Sequence, residues 1–180
     1  MNIECDTRIP FPRPLVFQTY RDQLLDLIPY LPNVRSIDIK SRRDVRGQLF
    51  CINHWHGGGE IPALARSILS DDMLSWTEHN IWDSDTYTLI WRIETHAFTK
   101  AVSCGGENRF VEDGSHTVVE NRGRLAINPQ QLEGIPDLVR GHVASVVENY
   151  LSQKIAPNLL EMSQGVQQYL EASSLSSQDI

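Results

Sequence analysis

The chain has 180 residues, which is enough for one domain with a substantial apolar core. Hydrophobic residues make up 41% and charged residues 22% of the sequence, the composition of an ordinary globular protein. The formal net charge of −7 repels a phosphate backbone, so nucleic-acid binding is not expected.

The cysteines and the first residues of the chain indicate the cellular compartment of the protein. Cys5, Cys51 and Cys104 are an odd number without the spacing of a disulfide framework. The first residues have neither the basic nor the apolar segment of a secretion signal. No stretch approaches the roughly 18 apolar residues of a membrane span. We therefore expect a protein of the reducing cytoplasm.

The first predicted elements are a strand and a helix. The strand covers Asn2 to Ile9, and Pro14 then suits the first turn of a helix. Pro29 and Pro32 end that helix. Its apolar face is formed by Phe17, Tyr20, Leu24, Leu27 and Ile28.

Six strand-like runs follow. Thr86 to Thr95 alternates most clearly, with Tyr87, Leu89, Trp91 and Ile93 on one side. Short links, such as the Asp113-Gly114 turn, predict an antiparallel meander. The runs are Val34 to Arg42, Gln48 to His56, Met73 to Trp82, Thr86 to Thr95, Ala101 to Glu112 and Ser115 to Ile127. A short helix is expected at Ile61 to Leu69, beside the sheet edge.

A long amphipathic helix begins near Pro136. One apolar stripe runs from Ile135 through Val139, Val143 and Val146 to Tyr150, at helical spacing. A second stripe, rotated from the first, consists of Ile155, Leu159, Met162, Val166 and Tyr169. Pro157 lies between them, so a kink there would let both stripes face one core. The serine-rich tail, residues 172–180, is predicted to be disordered.

This order of elements resembles the START-like (SRPBCC, helix-grip) superfamily. The segments that carry the resemblance are Ile9-Pro10, Leu31-Pro32-Asn33-Val34 and Ala156-Pro157-Asn158-Leu159-Leu160. The resemblance implies an α+β fold, one domain over residues 1–171, in which a curved antiparallel sheet of six to seven strands grips a long, kinked C-terminal helix. Glu78 to Asp83, with the strand that follows, also resembles PRELI-type phospholipid-transfer proteins.

The superfamily implies an apolar cavity between the sheet and the C-terminal helix. Its members bind lipids, sterols, polyketides or other hydrophobic molecules, and some catalyse cyclisation or dehydration. No catalytic set is shared across it, so no catalytic residue is assigned. The expected function is therefore binding or transfer of a lipid or other hydrophobic molecule, with a polyketide cyclase- or dehydratase-like enzyme as the alternative.

Aromatic residues on the strands are the predicted cavity wall, although the same rings could equally fill a solid core. Inward polar residues, namely Asn53, Glu78, Asn108 and Asn121, would need a partner inside the protein or on a ligand. A raised pKa at an inward Glu78 would favour the enzyme. The predicted ligand-binding residues are Trp55, Trp76, Tyr87, Trp91, Asn108, Val143 and Tyr150.

One segment has the spacing of a metal site. His54, His56 and Glu60 resemble the first metal motif of cupins, but no partner motif supplies the remaining histidine. If Trp55 points inward, alternation turns both histidines outward. No metal or other cofactor is therefore expected, and a metal enzyme is the less favoured alternative.

A locally basic stretch could give transient contact with anionic membrane surfaces, although a solvated hairpin tip explains it as well. It consists of Arg35, Lys40, Arg42, Arg43 and Arg46.

Overall fold

The computed structural model describes residues 1–58 and 74–176. It is an α+β structure in which a curved antiparallel sheet lies against a long C-terminal helix. The strands are β1 (Asn2–Ile9), β2 (Val34–Val45), β3 (Gln48–Gly57), β4 (Ser75–Asp83), β5 (Thr88–Thr95), β6 (Val102–Asp113) and β7 (His116–Ile127). The helices are α1 (Arg13–Asp22) and α2 (Asp137–Ser176), and short 3-10 turns occupy Ile28–Tyr30 and Pro129–Gln131.

The seven strands form one sheet in the order β1-β7-β6-β5-β4-β3-β2. Neighbours from β2 to β7 are consecutive in sequence, which confirms the predicted meander, and β1 closes on β7. Side chains alternate between the two faces, so one face of each strand meets α1 and α2 while the other meets solvent. On β5, Leu89 and Trp91 are buried and Ile90 is exposed.

Helix α1 is shorter than its apolar pattern indicates. It ends at Asp22, with Gln23 as its C-cap, and the chain continues in turns to the 3-10 segment at Ile28. Leu27 is nevertheless completely buried. Turns after α1 therefore bury an apolar residue that the spacing had assigned to a longer helix.

Helix α2 is bent and contains Pro157, which has no backbone N–H to continue the hydrogen-bond ladder. It runs to Ser176, past the boundary predicted for the disordered tail, and residues 177–180 lie outside the described part of the chain. The first buried stripe also differs from prediction: Val139 is 42% exposed, whereas Ala144 and Val147 are buried. The buried positions are Val143, Ala144, Val147, Ile155, Ser163, Gly165, Val166 and Leu170.

Two apolar clusters hold these layers together. The main cluster joins α1, the concave face of the sheet and the second half of α2, and Phe17 is at its centre with edge-on contacts to Trp82 and Phe110. Inside it the Tyr20 hydroxyl donates a 2.6 Å hydrogen bond to Ser163, which ties α1 to α2. The smaller cluster lies under the first half of α2 and consists of Ala101, Leu132, Val143, Ala144 and Val147.

No helix in the described ranges is long and apolar enough to cross a membrane. The short helix predicted at Ile61 to Leu69 lies outside the described residues, as does Glu60 of the histidine motif.

Candidate functional site

A cavity of about 370 Å³ opens between the concave face of the sheet and α2. Its floor comes from inward positions of β3 to β6, and its roof comes from the middle of α2, from Tyr150 to Met162. Pro157 falls within that stretch. The segment after α1, including Leu24 and Leu31, completes the wall. Most of the lining is apolar, so the cavity suits an apolar guest.

Two stacked tryptophans form part of the wall. Trp55 on β3 lies directly opposite Trp76 on β4, and their rings are nearly parallel, with centroids 5.7 Å apart and an interplanar angle of 10°. Cross-strand neighbours on one face of a sheet are close enough for such contacts. The pair gives the cavity a flat aromatic surface.

Trp91 lies across the neighbouring strands because glycines leave room for its ring. It is opposite Gly106 on β6, which is in turn opposite Gly123 on β7. A Cβ atom at Gly123 would lie 2.9 Å from both Cζ2 and Cη2 of the indole, and one at Gly106 only 2.7 Å from Cζ2. The Trp91 Nε1–H donates a 2.9 Å hydrogen bond to Oδ1 of Asn108, which fixes the ring in this position.

Glu78 is the ionisable residue of the cavity floor. Its Oε2 accepts hydrogen bonds from Trp55 Nε1 and from Asn80 Nδ2, both at 3.0 Å. Asn53 lies directly opposite Glu78 on β3. Burial raises the pKa of the Glu78 carboxyl group, although the hydrogen bonds from Asn80, Trp55 and Asn53 oppose that increase. Since an indole can only donate, Oε2 must accept, and a proton on this carboxyl group resides on Oε1.

The structure places five of the predicted ligand-binding residues on the cavity wall: Trp55, Trp76, Trp91, Asn108 and Tyr150. Whether they contact a ligand stays a prediction. Of the polar residues predicted to point inward, Asn121 does not line the cavity. Its amide instead donates a 3.1 Å hydrogen bond to the Cys5 carbonyl.

Tyr87 and Val143 lie elsewhere, so their placement on the wall was wrong. Tyr87 precedes β5 in a turn, with a φ of 53°, and lies beside α1 rather than beside the cavity. Its ring packs on Phe17 and under the Arg13 guanidinium group, which is 4.2 Å from the ring centroid. Val143 belongs to the smaller cluster under the first half of α2.

Asn80 and Asn158 are among the polar residues of the wall that sequence reasoning missed. Asn80 shares the inward parity of Trp76, Glu78 and Trp82 on β4, so the alternation could have identified it. Asn158 lies three residues after Ile155 and four before Met162, so the helical spacing of the second stripe could have identified it as well. The Oδ1 atom of each is buried without a hydrogen-bond partner among the described residues.

The two histidines of the predicted metal motif, His54 and His56, do not line the cavity. Trp55 is buried, with 8% of its surface exposed, and lines the cavity, whereas the neighbouring histidines do not. The ring of His54 is 5.1 Å from that of His96, and His56 Nδ1 is 3.1 Å from the Ser75 hydroxyl. The described residues contain no group of three His, Cys, Asp or Glu side chains suited to a metal ion. The three-ligand hypothesis itself is untested, because Glu60 lies outside them.

Polar residues that line the cavity also bond to one another. The Asn33 amide donates to both carboxylate oxygens of Glu161, at 2.7 and 2.8 Å, and so joins the approach to β2 with α2. Arg42 donates to the Asp22 carboxylate and, at 3.1 Å, to the Arg21 carbonyl. Part of the basic stretch is therefore engaged within the protein.

Two cysteines of the cavity wall have thiols of low reactivity. Cys51 and Cys104 are buried and unpaired, and both line the cavity. Burial, with a smaller effect from the charge of Glu78, raises the pKa of the Cys104 thiol to about 12. A thiol with such a pKa is a poor nucleophile near neutral pH.

Comparison with known protein families gives no match to a family model, and no curated protein matches the sequence. Solved structures do match. TTHA0849 from Thermus thermophilus is 19% identical, with a TM-score of 0.64 over 96% of this chain and 99% of that one. The Zhui aromatase/cyclase from a Streptomyces species is 19% identical, with a TM-score of 0.56 over 95% and 93% of the two chains.

Norcoclaurine synthase from Thalictrum flavum is 14% identical, with a TM-score of 0.64 over 94% of this chain and 86% of that one. At these identities the likeness concerns the fold. The sheet order, the long bent helix and these structural matches together show that the chain has the START-like (SRPBCC, helix-grip) fold.

Proposed function

We propose that this protein binds a hydrophobic small molecule in the cavity between the sheet and α2. The observation that carries the proposal is the open, mainly apolar space of about 370 Å³. Empty apolar volume costs about 24 cal/mol per Å³ in core-truncation experiments, so an unfilled space of this size costs on the order of several kcal/mol. Net stability is only about 5–15 kcal/mol, and a cost of this size is consistent with a use for the space.

A probe-binding experiment with a cavity-filling variant tests the proposal. Leu159 on α2 lines the cavity, while its neighbour Leu160 is 37% exposed and does not. The wild type should enhance the fluorescence of anilinonaphthalene sulfonate. Leu159→Trp should weaken that binding at least about tenfold by occupying the space, whereas Leu160→Trp should not. Equal probe binding by all three proteins would contradict the proposal.

Native mass spectrometry of freshly purified protein addresses the ligand itself. A non-covalent adduct that organic extraction removes, and that Leu159→Trp lacks, would identify the natural guest. We further propose that the protein works in the reducing cytoplasm. Its three cysteines are unpaired, and two of them are buried among apolar groups.

A lipid guest would require contact with a membrane. Arg35, Arg43 and Arg46 are exposed and would supply that contact through anionic headgroups. Co-sedimentation with phosphatidylserine vesicles, weakened by adding salt and by replacing these arginines with glutamine, is the expected result. A protein that stays in the supernatant at low salt is not a lipid carrier of this kind.

Glu78 supports a second candidate, an enzyme of the cyclase or dehydratase type. A carboxyl group whose pKa is raised by burial in a mainly apolar cavity suits general acid–base catalysis, since it keeps its proton to a higher pH than a solvated carboxyl group does. No reaction of the structural neighbours is transferred to this chain.

The base strength of Glu78 can be measured without the natural substrate. A carboxylate in such a site should remove the C3 proton of 5-nitrobenzisoxazole while the N–O bond breaks, which yields a coloured cyanophenolate. Glu78→Gln should lose this activity, and Glu94→Gln should keep it, because Glu94 pairs with His79 away from the cavity. Equal rates for the wild type and Glu78→Gln would exclude Glu78 as the base.

A further inference from the structure

Two hydrogen-bond donors on α2 border the cavity and have no partner in the described part of the chain. Tyr150 and Lys154 both line the cavity, and both are half-buried. Neither side chain forms a hydrogen bond or an ion pair with another described residue. Burial alone raises the pKa of the Tyr150 hydroxyl, which agrees with the lack of a hydrogen bond at that group.

The two donors lie on the same side of α2. They are four residues apart, so their side chains are neighbours on the helix surface, with Cβ atoms about 5–6 Å apart. A phenol donates one hydrogen bond and an ammonium group three, so together they can bind both oxygens of one carboxylate group. Leu151 and Ile155 also line the cavity and pack against the main cluster. The donor pair therefore lies beside an apolar surface.

The other cations of the cavity lining are already engaged. Arg21 donates to the Asp22 carboxylate and to the Ser84 hydroxyl, both at 2.7 Å, and Arg42 donates to Asp22 as well. Within the described lining, Lys154 is therefore the cation that lacks a counter-ion.

The remaining acids of the lining do not pair with Lys154 either. Glu161 lies two turns further along α2, and both its oxygens accept from the Asn33 amide. Glu78 accepts from its own partners on the sheet, and Asp26 is exposed on the segment after α1. A half-buried ammonium group has lost part of its hydration, and an anion brought by the guest would replace it.

We propose that the cavity accepts apolar carboxylic acids, with the carboxylate bound by Lys154 and Tyr150 and the apolar part enclosed between the sheet and α2. This inference rests on the proposed function, and it specifies the class of ligand. A carboxylate that enters a mainly apolar site loses water, and charge-assisted hydrogen bonds from these two donors compensate for that loss. The amide of the same acid has nearly the same shape but no charge, so it gains no ion pair with Lys154.

A matched ligand pair tests the inference. 2-Naphthoate and 2-naphthamide share one ring system, and at about pH 7.5 only the first is an anion. Each is titrated against bound N-phenyl-1-naphthylamine, a neutral fluorescent probe that does not itself compete for the ammonium group. The wild type should bind 2-naphthoate at least about tenfold more tightly, since hydrogen bonds to a charged group correspond to roughly that factor or more.

Variants then locate the anion. Lys154→Met should reduce the preference for 2-naphthoate to about twofold or less, whereas Lys154→Arg, which keeps the charge, should retain it. Tyr150→Phe should weaken the binding of 2-naphthoate at least about threefold. Lys100→Met is the control, because it changes the net charge equally at an exposed lysine that pairs with Glu133 and does not line the cavity. It should leave the preference unchanged. Lys154→Gln replaces Lys154→Met if that protein does not fold.

The outcomes separate this inference from the proposed function. Equal affinity for the two ligands, or tighter binding of 2-naphthamide by the wild type, would overturn the acid-selective site and leave hydrophobic binding intact. A preference that survives the removal of the Lys154 charge, or that Lys100→Met removes equally, would also overturn it. Failure of the wild type to bind the neutral probe and both ligands would contradict the proposed function itself.

Discussion

Replacing Gly123 with alanine should displace the Trp91 indole from its place on the sheet. The added Cβ atom would lie 2.9 Å from Cζ2 and Cη2 of that ring, whereas carbon atoms in contact prefer about 3.5–4.0 Å. Trp91 is only 3% exposed and is held by Asn108, so its ring cannot rotate freely. Overpacking of this kind costs about 1–3 kcal/mol, and loss of the indole hydrogen bond adds about 1 kcal/mol.

The Gly123→Ala protein should therefore lose about 2–4 kcal/mol of unfolding free energy. For a protein of this size, each kcal/mol lowers Tm by about 2–4 °C, so a decrease of roughly 4–16 °C is expected in thermal unfolding followed by circular dichroism. Gly141→Ala is the control. Gly141 lies in α2 with no atom within 4 Å of an added Cβ, so alanine should leave stability unchanged or raise it by up to about 1 kcal/mol.

A double mutant isolates the contact with the ring. Phenylalanine at position 91 lacks the outer indole carbons that approach Gly123, so Gly123→Ala should cost much less in a Trp91→Phe background. If Gly123→Ala unfolds at the wild-type temperature, or if its cost is the same in both backgrounds, the steric explanation is wrong.

Three further predictions concern buried polar groups. Ser163→Ala should lower the unfolding free energy measured in urea by about 1–3 kcal/mol, because it leaves the buried Tyr20 hydroxyl without a hydrogen-bond partner. Tyr20→Phe should cost less, because Ser163 still donates to the Leu159 carbonyl. The reverse order of the two costs would contradict this interpretation. Glu78 has a raised pKa when folded, so the folded state binds more protons than the unfolded chain, and the unfolding free energy should fall as pH rises through and above the unfolded pKa of about 4.3. Glu78→Gln should remove this contribution, and a wild-type-minus-variant difference that stays constant with pH would refute it. Cys104 has a thiol pKa of about 12, so in the native state it should not react with iodoacetamide at about pH 8, whereas it should react after denaturation. Peptide mass spectrometry measures the labelling. Rapid labelling of the native protein would argue against the burial of Cys104.

The sequence was most informative where one local rule determined the orientation of a side chain. Alternation along β4 and β5 correctly turned Trp76 and Trp91 toward the helix, because the two-residue period of a strand does not depend on distant contacts. The same period placed Tyr87 on the core side, where its ring does pack on Phe17, but the period cannot tell which part of the core a side chain meets.

Other features depend on partners from distant parts of the chain. Val143 has the spacing of a core-facing residue, but whether it meets the cavity or the smaller cluster depends on where Ala101 and Leu132 lie. The environment of Glu78 likewise requires Trp55 from one strand and Asn80 from its own. No pattern within a single element predicts those contacts or the resulting pKa.

Strand β2 forms one edge of the open sheet, and an edge strand offers unpaired backbone groups to any other chain that approaches. Its pairing with β3 shifts register twice, between Val34 and Ser36 and between Ile39 and Ser41. Arg35, Lys40, Arg42 and Arg43 lie on the same strand. Asp38 and Asp44 lie among them. An irregular edge strand with this many charged side chains is a poor template for another strand, so these residues disfavour aggregation through strand addition, whether or not they ever meet a membrane.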